Sequence, residues 1–473
     1  MPRGERVGIV CLVFALAAGY SVYALLKHWH FDSSYDLAIF EQAIWHLSRF
    51  ERPASSIRGL RNVFGDHFHP IIALWVPLFW VAPAAETLIV AQTILLAVSV
   101  VPVFLFARDR LAHGPALALC VAYGLFWGMQ QTAFSDVHEA AFAPLAVGLL
   151  LLAMDGRRGR WFWAAVVAVL AVKEDLAPFL VFLGAYLFVR GERRRGAILV
   201  ACSLAAFIAE VAVVIPAAGG GREYGYRSAF DDVLQHPWLV PVKLVTPPIK
   251  MLTAFLWVAP FALLPLASPL SLLLAPFALE RFLSAGATHW GTIFHYSAPL
   301  APIVAMSAAD GLARIGRRIP DPAARRSTIA ILAGVCVLLA SLLPGHQPLW
   351  RVLSPKPYRF DAIDRAGADA LGAVPPNASV VAQTAVAPHL ALRKDLFRLD
   401  PEAPEADYVI AVDGRSPWPN ATAGDVNALL AERRRRGYLV VFERDGWVVL
   451  RRAQSITAEY EADIRMADYS RSR

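Results

Sequence analysis

Five short polar patches hold most of the side chains in this chain that could do chemistry. The first reads His30-Phe31-Asp32-Ser33-Ser34-Tyr35-Asp36 and continues to Glu41-Gln42. Its apolar positions Leu37, Phe40, Ile44, Trp45 and Leu47 recur at helical spacing and predict a helix lying in a membrane interface plane. Asp36 begins that helix, where the helix dipole keeps a carboxylate ionised. Asp36 or Asp32 could therefore take a proton from an acceptor, and a plain N-cap is the alternative for Asp36. The second patch, Asp66-His67-Phe68-His69-Pro70, sets a carboxylate and two imidazoles at i, i+1 and i+3, which suits a metal, a phosphate or a hydrogen-bonded loop. The third, Ser135-Asp136-Val137-His138-Glu139, lies between apolar blocks, where ionisable groups are costly unless they function or snorkel to water. His67, His69, Asp136 and His138 are the candidates for a divalent metal.

Lys173-Glu174-Asp175 interrupts the apolar run from Trp161 to Val189 and predicts a turn between two short helices. Lys173 could hold a phosphate as a point charge or close an internal ion pair with Glu174 and Asp175. The last patch runs from Glu280-Arg281 through His289 to His295-Tyr296. The planar fork of Arg281 matches phosphate oxygens, with Glu280 as its alternative partner. Asp66, His67, His69, Asp136, His138, Glu139, Lys173, Glu174, Asp175, Arg281, His289, His295 and Tyr296 together make one candidate substrate site.

The elements that carry these patches are those of a membrane protein. Of 473 residues, 57% are hydrophobic and 18% charged, and the apolar residues come in blocks near twenty long. Such blocks must satisfy their backbone groups internally, so they predict an all-helical membrane bundle. The net charge of +7 resides in short arginine clusters between the blocks, which argues for topology signals and against a nucleic-acid partner. The clusters at Arg3 and Arg6, Arg108 to Arg110, Arg157 to Arg160, Arg190 to Arg195 and Arg314 to Arg326 predict cytoplasmic loops, which places the five polar patches outside. Ile71 to Val81 is too short to cross and reads as re-entrant or interfacial, leaving about eleven crossings over residues 1–344. Cys11, Cys120, Cys202 and Cys336 all fall in apolar blocks without ligand spacing and read as small buried side chains.

Beyond Pro344 the composition changes to mixed charge and short apolar runs, which predicts a small soluble α/β domain over residues 345–460 outside the membrane, with 461–473 disordered. Ser379 to Gln383 and Tyr408 to Val412 read as buried strands. Ala423 to Arg436 reads as a helix, and Tyr438 to Phe442 with Trp447 to Arg451 as a hairpin around Asp445-Gly446.

Taken together, the sequence resembles the bacterial membrane family catalogued as domain of unknown function 2079. The resemblance lies in Phe31-Asp32 to Gln42, Asp66-His67-Phe68-His69-Pro70, Asp136-Val137-His138-Glu139, Lys173-Glu174-Asp175 and His295-Tyr296-Ser297-Ala298-Pro299. In the tail it includes Pro388-His389-Leu390-Ala391-Leu392-Arg393 and Asp407-Tyr408-Val409. That family resembles the fold-C membrane glycosyltransferases, which take sugars from polyprenyl-phosphate donors and keep an acidic residue in the first outer loop. The resemblance implies a plasma-membrane enzyme with a lipid-linked sugar donor, Asp36 or Asp32 as base, and Arg281 with Lys173 on the departing phosphate. A transporter or lipid flippase, with the same charges lining a pathway, and a non-catalytic scaffold remain the alternatives.

Overall fold

The computed structural model describes residues 2–453 apart from 157, 158 and 346. The proposed disordered tail 461–473 and Arg157 and Arg158 of one basic loop lie outside the described residues. Among the described residues four helices are long and apolar enough to cross a membrane: Arg3–Trp29, Ala85–Arg108, Arg193–Ala218 and Pro322–Leu342. A fifth span arises if Pro237–Val245 and Ile249–Phe261, bent by 66° at Pro247 and Pro248, count as one. This falls short of the expected eleven crossings, because much of the apolar sequence forms shorter helices such as His113–Leu125 and Gly159–Leu170. A helix rises ~1.5 Å per residue against a hydrocarbon core of roughly 30 Å, so thirteen residues do not cross unaided. Pro70–Val81 is one of these short pieces. Cys120 and Cys336 are buried as expected, whereas Cys11 and Cys202 are exposed on the outer faces of their helices.

The chain forms two compact units. The first comprises Met1–Ala24, Phe64–Leu74 and Ile89–Ser354. Its helices pack through small residues: a Cβ on Gly196 would sit 2.5 Å from the carbonyl oxygen of Gly184, so Ala177–Val189 and Arg193–Ala209 touch backbone to backbone. Three helices give this unit two chemically distinct ends. Ala143–Asp155 starts just after Glu139, Ala177–Val189 just after Glu174, and Ala301–Arg317 just after Tyr296. At their far ends the basic loops converge. Glu5 pairs with Arg108 at 2.7 Å, Arg110 with Asp155 at 2.5 Å and with Asp310 at 3.6 Å, and Arg314 with Asp310 at 2.6 Å.

The second unit comprises Leu25–Val63, Trp75–Leu88 and the chain from Pro355 onward. Its five-stranded sheet has the order β2-β1-β3-β5-β4. The strands are β1 (Val380–Ala382), β2 (Leu396–Arg398), β3 (Tyr408–Val412), β4 (Tyr438–Arg444) and β5 (Trp447–Arg452). β1 is parallel to β2 and β3, while β3–β5 and β4–β5 are antiparallel. Asp445 and Gly446, both at positive φ, close the β4–β5 hairpin, as that dipeptide requires. Period-two alternation splits the central strands: Val380, Ala382, Ile410 and Val449 face one apolar core, and Val381, Val409, Ala411 and Leu450 face another. The helix Tyr35–Ser48 does not lie with one side open as an interfacial helix would. Ala38 joins the first of these cores, Tyr35 and Ile39 pack against it, and Gln42 donates to the carbonyls of Arg393 and Lys394 at 2.8 and 3.1 Å. Leu37, Phe40 and Ile44 of its apolar face are themselves buried, so that face is not open to a lipid surface.

Candidate functional site

The polar end of the first unit is organised around Glu174. Its carboxylate is fully buried at the head of Ala177–Val189, with Oε1 2.5 Å from Nδ1 of His67 and 2.9 Å from the donating hydroxyl of Tyr224. Oε2 accepts the backbone N–H of Phe68 at 2.9 Å. Burial alone would raise the Glu174 pKa, but His67 and Lys173 overcome it and hold the carboxyl down at about 2. The Tyr226 ring stacks on His67 with centroids 4.2 Å apart, and its hydroxyl donates to Asp66 at 3.4 Å.

Lys173 lies beside this group, with Nζ 3.4 Å from Glu139 and 3.5 Å from Asp175. Burial works against its charge, yet Asp175 and Glu139 hold the lysine pKa well above its ordinary value. The Glu139 carboxyl is likewise held well below its usual range, against its burial, by Lys173 and then by His138 at 3.7 Å. Burial drives the other imidazoles the opposite way: His69 and His289 fall to about 4, and His295 falls well below its ordinary value. Those three rings are neutral at pH 7, whereas Lys173 is held charged by its carboxylate neighbours.

Rings continue the site. His138 lies 3.7 Å from His295, His295 lies 4.7 Å from Tyr296, and Tyr296 lies 4.4 Å from His289. Gln92, buried within the Ala85–Arg108 span, fixes the start of this series. Its Nε2 donates to the Asp136 carbonyl at 2.6 Å and its Oε1 accepts the His138 N–H at 2.9 Å. Asp136 has φ +62, a left-handed geometry unusual for a residue with a side chain, and the Gln92 clamp supports it from both sides.

Arg281 does not present its fork to the site. It is 1% exposed, and it donates through Nε to the His289 carbonyl at 2.8 Å, through Nη1 to Ser297 Oγ at 2.7 Å and through Nη2 to the Gly291 carbonyl at 2.7 Å. Its guanidinium thus staples the 289–297 loop, and the expected phosphate contact is replaced by internal acceptors. Among the described residues no group of three or more His, Cys, Asp or Glu side chains could hold a metal ion, so His67, His69, Asp136 and His138 do not form a ligand set of that size.

Asp32 and Asp36 belong to the second unit. Asp36 stands in the first turn of Tyr35–Ser48, whose N-cap is Ser34 rather than Asp36, and its side chain is half-buried. Asp32 is exposed, next to a network in which Asp364 accepts from His30 at 2.7 Å and from Arg415 at 2.7 Å. His389 of the tail stacks on His28 with centroids 4.0 Å apart, and Phe31 packs against it at 4.3 Å. The first-loop and tail motifs are therefore one structural feature. Tyr224, Tyr226 and Gln92 were not singled out from sequence. The Tyr-Gly-Tyr spacing and a glutamine inside an apolar span were the available signals.

One close approach shapes this end of the unit. A Cβ added to Gly65 would lie 2.4 Å from Cα of Gly219 and 2.5 Å from its nitrogen. The 3-10 turn leading into Asp66 thus passes directly over the end of Arg193–Ala218, just before the chain turns to Tyr224.

The profile of the family described as "Predicted membrane protein (DUF2079)" matches residues 27–449. The chain belongs to this family. No curated protein matches it. Among solved structures, this DUF2079 chain is similar to ArnT from Cupriavidus metallidurans bound to undecaprenyl phosphate. The TM-score is 0.55 at 12% identity, over 93% of this chain and 97% of that one. It is also similar to ArnT of the same organism in the apo state, with a TM-score of 0.53 at 13% identity, over 94% and 98% of the two chains. The likeness runs nearly the length of both proteins and shows that this chain shares the ArnT fold.

Proposed function

We propose that this protein is a plasma-membrane glycosyltransferase that takes a sugar from a polyprenyl-phosphate donor at the extracytoplasmic face. The observation that carries the reading is Lys173, a cation held between Glu139 and Asp175 at the polar end of a fold whose solved likeness was captured with a lipid phosphate. Glycosyl transfer from such a donor develops negative charge on the leaving phosphate, and a fixed cation aimed there lowers the barrier. Lys173 takes that role. His67, oriented by Glu174 and Tyr226, and His138, oriented by Gln92, would bind and orient the donor. Asp36, or Asp32 near it in sequence, is assigned the acceptor proton.

The arginine-rich loops share one end of the first unit, and by the positive-inside rule that end is cytoplasmic. The N-terminus is then cytoplasmic, while the polar cluster and the C-terminal domain are extracytoplasmic. About eleven crossings follow if the shorter apolar helices pair across the bilayer.

The deciding experiment uses the full chain in proteoliposomes with polyprenyl-phosphate sugars. Lys173→Ala is expected to reduce transfer at least ~100-fold, the scale of removing one charge-stabilising group, while Asp36→Asn combined with Asp32→Asn abolishes it. Transfer undiminished in the double variant would remove those carboxylates from the role of base. Transfer undiminished by Lys173→Ala would remove the lysine from the phosphate.

A further inference from the structure

The end of the first unit opposite the candidate site contains a cavity of about 210 Å³ that the glycosyl-transfer reading does not use. Its charged lining is Arg110, Asp155, Arg190, Glu192, Asp310 and Arg314. Three cations and three carboxylates suggest a closed set of ion pairs, but the pairing is uneven. Asp155 is taken by Arg110, and Asp310 by Ser268 at 2.7 Å, Arg314 and Arg110. Glu192 is taken by Arg195, at 2.9 Å. Every carboxylate is thus engaged, whereas Arg190 makes no ion pair among the described residues and rests over the Tyr186 ring at 5.9 Å. Arg314 spends only Nε on Asp310, which leaves its two terminal nitrogens. The unspent donors of the cavity are therefore guanidinium N–H groups.

Several residues near the lining in sequence are apolar. Phe188 and Val189, next to Arg190, are exposed, and so are Leu266 and Leu272, which flank the lining residues Pro269 and Leu270. A charged recess between outward-facing apolar side chains matches a molecule with an anionic head and hydrocarbon tails. We propose that this cavity binds an anionic membrane phospholipid, with the phosphate on Arg190 and Arg314 and the acyl chains over Phe188, Val189, Leu266 and Leu272. A guanidinium fork accepts two phosphate oxygens side by side, so the pair of arginines can fix the headgroup in one orientation. The site is separate from the polar cluster and stands whether or not the chain transfers sugars.

The test measures melting of the purified full chain in detergent with added phosphatidylglycerol, phosphatidylcholine or soluble glycerol 3-phosphate, alongside native mass spectrometry of retained lipid. Phosphatidylglycerol should raise the wild-type melting temperature by several degrees and remain bound. The Arg190→Gln, Arg314→Gln double variant should lose most of both effects, and Arg434→Gln, an exposed change in the second unit, should keep them. Arg190→Gln alone breaks no ion pair, so it serves if the double variant folds poorly, and at least half the effect should vanish. Equal stabilisation of variant and wild type by phosphatidylglycerol would overturn the site. Equal stabilisation by phosphatidylcholine would overturn its anionic preference, and equal stabilisation by glycerol 3-phosphate would overturn the role of the acyl chains.

Discussion

His67 and Glu174 stand 107 residues apart in sequence, yet Nδ1 of one lies 2.5 Å from Oε1 of the other, and the Phe68 N–H ties the same loop to the other oxygen of that carboxylate at 2.9 Å. The carboxylate is sealed from solvent while the imidazole keeps a partly open face, so the pair can hold the loop and still present a ring edge outward.

Glu174→Gln keeps the size of the side chain and removes its charge. Breaking a buried, hydrogen-bonded pair costs about 3 kcal/mol, and Tyr224 and the Phe68 N–H lose a charged acceptor at the same time. A clear drop in melting temperature is expected, together with faster proteolysis around residue 66. A variant that melts with the wild type would show that the pair does not anchor the loop.

Acid should loosen the same contact. The folded pKa of Glu174, about 2, lies below the ~4.3 of an unfolded glutamate, so its contribution is complete above the unfolded value and is lost as pH falls through the folded one. Glu139 shifts in the same direction. Melting measured at steps from pH 7 to pH 2.5 should change little through these groups until about pH 4.5 and then decline. The decline should be shallower in Glu174→Gln, and identical slopes would assign the acid sensitivity elsewhere.

Gln92→Leu removes both arms of the clamp on Asp136 and His138. The left-handed Asp136 then keeps its strain without its support, at a cost of roughly 2 kcal/mol. Replacing Asp136 by Gly in the Gln92→Leu background should recover part of that stability, because glycine adopts φ +62 freely. No recovery would mean that the backbone geometry is not the strained element.

Arg281→Lys retains charge but cannot reach three acceptors in three directions. The 289–297 loop should loosen, seen as faster hydrogen exchange there and in the packed Tyr296 region. Protection unchanged from wild type would return the arginine to consideration as a ligand-facing group.

The two ends of the first unit predict opposite labelling. With native cysteines replaced, Arg222→Cys should react with an impermeant thiol reagent applied to intact cells, and Arg317→Cys only after lysis. The reverse pattern would invert the orientation.

The membrane class, the arginine-bearing end and most of the C-terminal sheet were legible because each rests on local pattern: apolar block length, charge clusters, or alternation with Asp445-Gly446 between strands. The strand Leu396–Arg398 was not, since three residues beside Lys394-Asp395 carry no alternation to read. The patches at 66–69, 136–139 and 173–175 were legible as charged groups too costly to be idle near a membrane. Their pairing was not, because it depends on contacts across a hundred residues. Arg281 shows the same limit: its side-chain chemistry is visible in sequence, but the two carbonyls and the Ser297 hydroxyl that it bonds are not. The number of crossings was less legible, because apolar composition continues past breaks that only packing reveals.

The crossing of Gly65 over Gly219 constrains how this protein can change. A side chain at position 65 collides with the backbone of its neighbour and not with another side chain, so no smaller residue elsewhere can make room for it. A clash between two side chains can be relieved by shrinking the second one. This one should have no such relief, and the chain can regain the crossing only by reversion.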